Sequence, residues 1–147
     1  MTHRLLTASA LLLLGAVPAL AGDPVAETCG LAAALPGGTG AIMDQLNTMA
    51  SLWAASDRAK LGPVMEPELG KFKMETGKVW IVGDLDPFMR ELLVVSADRN
   101  QGTTLYFRVI YESAPDGFYF KNVRFNSDFY AIISDPFLQA PAPVNCR

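Results

Sequence analysis

Histidine is almost missing from this chain: His3 is the only one, and it lies in a segment that reads as a removable leader. The rest of the chain therefore cannot build a Ser-His-Asp or Cys-His relay. Histidine-ligated zinc, copper and haem sites are excluded with it. Cysteine is nearly as scarce, with Cys29 and Cys146 standing close to the two ends. Positive charge is thin and scattered: 12 Lys and Arg face 15 Asp and Glu, for a formal net charge of −3. An acidic domain without a basic cluster has no electrostatic reason to bind nucleic acid or anionic lipid. Beyond the N-terminus no run is long and apolar enough to span a bilayer.

What is present begins with a three-part N-terminus. His3 and Arg4 form a short positive region, Leu5 to Val17 is uncharged and apolar, and Pro18 precedes Ala19-Leu20-Ala21. Small residues at the −3 and −1 positions predict a cleaved signal peptide over residues 1–21, cut between Ala21 and Gly22. An uncleaved anchor is the alternative, but the apolar run falls short of the roughly 20 residues a spanning helix needs. Ala26-Glu27-Thr28 before Cys29 lacks the pattern for lipid attachment. The expected destination is periplasmic or secreted. Residues 22–147 then form one domain's worth of chain, whose formal charge falls to −4 with the loss of Arg4. In an oxidising compartment two lone cysteines usually pair, so a Cys29–Cys146 disulfide is expected. The alternative, a redox pair or thiol nucleophile, lacks the C-x-x-C spacing.

Residues 22–40, rich in Gly, Ala and Pro, read as an N-terminal extension with a short element near 27–34. Ala41 to Ala55 has helical periodicity, with Ile42, Leu46, Met49 and Trp53 on one side. Ser56 and Asp57 are expected to cap a second short helix over Arg58–Met65, which Gly62-Pro63 weakens. After Pro67 the pattern turns to strands. Phe72 and Met74 alternate with polar neighbours before a Thr76-Gly77 hairpin turn, and Val79–Val82 follows. Asp86-Pro87 resembles an N-cap with proline at the first helical position, opening a short helix or an irregular turn to about Arg90. Leu92–Ala97 and Thr103–Glu112 are strands, the second with Leu105, Phe107, Val109 and Tyr111 on one face. After a Pro-Asp-Gly turn, Phe118–Asn126 is a strand whose apolar register slips near Lys121–Asn122, the mark of a bulge. Phe129–Ile133 would extend or close the sheet, and 136–147 is a Pro-rich tail. Helices followed by strands predict an α+β fold over 41–135, with N-terminal helices packed on one curved antiparallel sheet of about 4–6 strands.

The helix–Asp–helix stretch Leu52–Leu61, and the strands Tyr106–Glu112 and Asp116–Phe125 across an Asp-Gly turn, resemble the nuclear-transport-factor-two-like, cystatin-like cone superfamily. The resemblance spans about 41–133 and rests on packing and turn residues. It implies a conical fold enclosing a pocket, with pairing through the sheet into a homodimer. That superfamily holds isomerases and dehydratases as well as binding and assembly domains.

Two carboxylate pairs, Asp84-x-Asp86 and Glu66-x-Glu68, fall short of the six or more oxygens calcium needs, so neither a metal nor a cofactor is expected. A ketosteroid isomerase-like enzyme would need a pocket carboxylate, for which Asp44, Glu112 and Asp128 are the candidates. Tyr106 and Arg108, with Asn122 and Arg124, would bind a polar or anionic group if their sheet face lines the cone; otherwise Arg108 snorkels to water. Trp53 would cap such a pocket or belong to the core. The leading expectation is a non-catalytic exported domain binding a small apolar or polar ligand or an envelope protein. The alternatives are a cofactor-free lyase or isomerase, and a structural or assembly subunit of a secretion or envelope complex.

Overall fold

The computed structural model describes residues 22–147. The expected signal peptide, residues 1–21, lies outside the described residues. Helix α1, Pro24–Ala34, begins where Asp23 accepts a hydrogen bond from the Val25 amide (2.9 Å) and Pro24 supplies a helical φ at the first position. It buries Thr28, Leu31 and Ala32, one helical face. Helix α2, Gly38–Met49, buries Ile42, Met43, Leu46 and Met49 and ends in a 3₁₀ turn over Ala50–Leu52. The short α3, Ala55–Arg58, leads to α4, Leu61–Leu69, which buries Leu61, Met65 and Leu69 at intervals of four residues.

Four local expectations for this half change. Ser56 and Asp57 lie inside α3 rather than capping a helix. Gly62-Pro63 does not break α4, because Pro63 sits in the first turn, where an amide has no intrahelical partner. The helix runs past Pro67 to Leu69. The segment 22–40, set apart in the sequence as an extension, gives Leu31, Ala32 and Leu35 to the core.

Five strands follow: β1 Lys78–Leu85, β2 Met89–Ala97, β3 Thr104–Ala114, β4 Gly117–Asn126 and β5 Ala142–Val144. They form one sheet in the order β4-β3-β2-β1-β5 with every pair antiparallel. The α+β class is therefore as expected. The bulge in β4 is also where the register slip placed it: Ile110 pairs with Asn122 and Tyr111 with Phe120, leaving Lys121 over. That extra residue returns Val123 and Phe125 to the helix-facing side already held by Phe118 and Phe120.

Phe72 and Met74 do not form a strand. Met74 makes a single bridge to Asp98, and Gly77 passes beneath α1, its amide bonded to the Ala32 carbonyl at 3.0 Å. A side chain on Gly77 would collide with Val94, Ala32 and Leu35, so the glycine serves close approach rather than a hairpin. Asp86-Pro87 opens no helix; it belongs to the tight turn between β1 and β2, with a cis peptide bond. Phe129–Ile132 is a short helix, α5, and not a strand.

Leu105, Phe107, Val109 and Tyr111 of β3 share the fully buried face beneath the helices, as their alternation predicts. The opposite face carries a second, smaller cluster of Val82, Leu93 and Ile132, onto which Trp80, Tyr106, Phe129 and Phe137 pack. The chain after β4 thus straps the back of the sheet. The tail 136–147 is tied down as well: β5 pairs with β1, and Cys29 and Cys146 form the expected disulfide, Cα atoms 5.4 Å apart. No helix among the described residues is long and apolar enough to cross a membrane.

Candidate functional site

Between helices and sheet lie the buried side chains of the core; the concavity that gathers the candidate residues runs along β4. Where α2 ends, the chain turns extended at Trp53 and lays its indole on Phe120. The Trp53 Nε1 donates to the Phe120 carbonyl, fixing the ring as one wall. The groove begins among Leu52, Trp53, Asp57, Tyr119 and Lys121. It continues between α4 and β4 past Lys60, Val64, Met65, Asn122 and Val123. It ends against α5, among Arg124, Phe125, Asn126 and Ile132. Successive stretches share Trp53 and Asp57, then Val64, Met65 and Val123, so they form one trough about 20 Å long at strand rise. Its lining is mainly apolar, and Val64 stands 69% exposed at its lip.

Charge flanks the trough in neutralised pairs. Lys60 meets Asp57 at 2.7 Å. At one end Glu112 accepts from the Tyr119 hydroxyl (2.7 Å) and faces the Lys121 ammonium at 3.1 Å. Hydrogen bonds from Tyr119 and then Lys121 hold the Glu112 carboxyl below its usual range, and Glu112 in turn raises Lys121. At the other end Arg124 pairs with Asp135 at 3.1 Å. The trough also borders an edge strand. Gly22 bridges Phe118 and Trp53 covers the Phe120 carbonyl. From Lys121 to Asn126, among the described residues, no backbone hydrogen bond reaches the outer side of β4.

Trp53, Asn122 and Arg124 are thus brought together, with Glu112 at one end of the trough, and the other candidates lie elsewhere. Asp44 is exposed on the outer face of α2. Asp128 caps α5, its Oδ1 accepting from the Tyr130 amide at 2.9 Å. Tyr106 lies on the strapped face, its ring 5.0 Å from that of Phe129. Arg108 neither lines a pocket nor reaches water: Nη2 bonds Glu91 Oε2 at 2.6 Å, and Nη1 reaches the carbonyls of Asp135 (2.6 Å) and Ile132 (3.3 Å). Asp84 and Asp86 both turn to Arg90, at 3.2 and 3.8 Å. Among the described residues no group of three or more His, Cys, Asp or Glu is placed to hold a metal ion.

The second short helix expected over Arg58–Met65 contains Lys60, Val64 and Met65, but no sequence pattern singles them out as site residues, because nothing local shows that this helix lines a groove against β4. Sequence patterns also missed a polar cluster beneath α1. There Thr28 Oγ1 and the Tyr111 hydroxyl lie 3.0 Å apart, both residues fully buried. Burial pushes the Tyr111 hydroxyl and the adjacent Glu27 carboxyl up from their ordinary values.

No family model matches the chain, and no curated protein or solved structure is significantly similar to it.

Proposed function

We propose that the chain is exported, cut between Ala21 and Gly22, and serves as a non-catalytic domain that holds an extended segment of a partner protein against β4. The observation that carries this reading is the coincidence of an apolar trough with a bare strand edge. An added strand gains main-chain hydrogen bonds from such an edge, and side-chain specificity from the pockets beside it. The trough is long enough for about six extended residues. Its open form suits a polypeptide better than a small molecule, which binds in enclosed pockets. The carboxylates that an isomerase would use are elsewhere engaged or exposed: Asp128 caps α5, Glu112 is bonded to Tyr119 and Lys121, and Asp44 faces solvent. The cone resemblance remains part of the proposal, with its binding members as the apt comparison.

The test is selection from a displayed library of unstructured peptides against the mature domain. Peptides with alternating apolar residues should emerge, and Val64→Asp should abolish their binding while leaving the fold intact. Selected peptides indifferent to Val64→Asp would overturn the proposal.

A further inference from the structure

Among the described residues, Glu27 is the one carboxylate with an oxygen, Oε2, shut from solvent without a hydrogen-bond partner. It lies in the first turn of α1, and Gly22 is packed directly against it: a β-carbon at residue 22 would overlap the Glu27 carboxylate. Backbone geometry then puts the Gly22 nitrogen within about 4 Å of Oε1. Gly22 is held there by its antiparallel bridge to Phe118. The other ionisable groups facing Glu27 are Asp23, at the start of α1, and Tyr111 of β3. Neither brings a positive charge, and the Asp23 side chain is occupied by the Val25 amide.

We infer that Glu27 is a built counter-ion site for the α-ammonium group that signal-peptide removal creates at Gly22. The inference rests on the proposed cleavage between Ala21 and Gly22. Hydrolysis of that bond by water leaves a carboxylate on Ala21 and an amine on Gly22, which takes up a proton. In the uncut chain the same nitrogen is a neutral amide, and Glu27 remains a half-buried acid that desolvation disfavours as an anion. Cleavage converts that carboxylate from a liability into half of an ion pair. It locks the new terminus beside β4 at the instant it forms. A glycine at residue 22 is what permits the approach, since a side chain there would collide with the Glu27 carboxylate and push it away.

The signs follow from linkage. Pairing raises the folded-state pKa of the amine, so its contribution is complete below the unfolded value, near pH 8, and fades as pH rises through the folded one. The experiment starts with intact mass of the exported protein, then titrates the ¹⁵N-labelled Gly22 amine. We expect a chain beginning at Gly22 and an amine pKa at least one unit, a tenfold change in proton affinity, above the ordinary value of about 7.7–8.0. Glu27→Gln should return it to that value. A second comparison uses a domain that retains Ala21. There Glu27→Gln should raise the melting temperature at pH 7, whereas in the domain beginning at Gly22 it should lower it. A terminus other than Gly22 would overturn the inference together with the cleavage site. Correct cleavage with an amine pKa indifferent to Glu27→Gln would overturn the ion pair alone, and the peptide-binding proposal stands or falls separately.

Discussion

Trp53 lies flat on Phe120, with ring centroids 5.1 Å apart and planes 4° from parallel, while its Nε1 donates to the Phe120 carbonyl. One residue thus ties the end of α2 to the edge strand and sets the width of the trough. Trp53→Phe keeps a ring on Phe120 but loses the donor, and should cost about 1 kcal/mol in denaturant unfolding. Trp53→Ala removes a half-buried indole as well and should cost about 2–3 kcal/mol. Equal costs for the two variants would show that the stacked ring contributes nothing.

Behind the sheet, Arg108 and Glu91 form an ion pair whose side chains are 3% and 6% exposed. Arg108 also holds the Ile132 and Asp135 carbonyls and lies 5.6 Å from the Phe137 ring centre. Arg108→Met would strand a buried carboxylate and release the strap, so it should cost about 3–5 kcal/mol. Amide exchange at Ile133 and Gln139, whose amides bond Phe129 and Val82, should rise with it. Unchanged exchange there would mean that the apolar contacts of Phe129 and Phe137 hold the strap without the arginine.

Asp98 turns the chain between β2 and β3. Burial acts to raise its pKa, but amide donors from Lys73 (2.7 Å), Gln101 (2.9 Å) and Asn100 (3.2 Å) outweigh that and hold it below the usual range. A depressed folded pKa stabilises above the unfolded value of about 3.9 and stops doing so as pH falls through the folded one. Asp98→Ala should therefore lower the melting temperature at pH 7, and the gap from wild type should narrow below about pH 4. A gap constant from pH 7 to pH 2 would assign the effect to lost packing.

The Cys29–Cys146 bridge closes a loop of 117 residues of sequence separation. Reduction, or Cys29→Ser with Cys146→Ser, should lower unfolding stability by about 4–5 kcal/mol on the chain-entropy account. β5 should exchange first, because it pairs with β1 through Val79, Trp80 and Ile81 only. Stability unchanged on reduction would show that β5 and the strap anchor the tail unaided.

The sequence was most legible where one face of an element is buried. Alternation on β3 and the slip near Lys121 located a strand face and a bulge, because period two is imposed directly by burial. Phe72–Met74 misled because its alternation comes from crossing beneath the core at one bridge, not from a ladder. α5 was hidden for a different reason: four residues carry too little periodicity to be told from a strand. Trp53 could be picked out as an aromatic at the end of the first helical stretch, and Asn122 and Arg124 as polar residues on the strand that carries the bulge. Val64 could not, since an exposed valine on a proline-containing helix carries no local signature. Nor could Arg108 be placed, because its fate depends on Glu91 one strand away and on carbonyls more than twenty residues later.

The most direct measurement is an amide chemical-shift map of the mature domain titrated with the tightest library-selected peptide. Binding along β4 should move the amides of Trp53 to Met65 and Lys121 to Asn126 and protect those on the outer edge of β4 from exchange, with both effects lost in Val64→Asp. Shifts confined to the β1–β2 turn around Phe88, or to the strap around Tyr130, would contradict the account: those residues are 71% and 78% exposed and lie outside the trough.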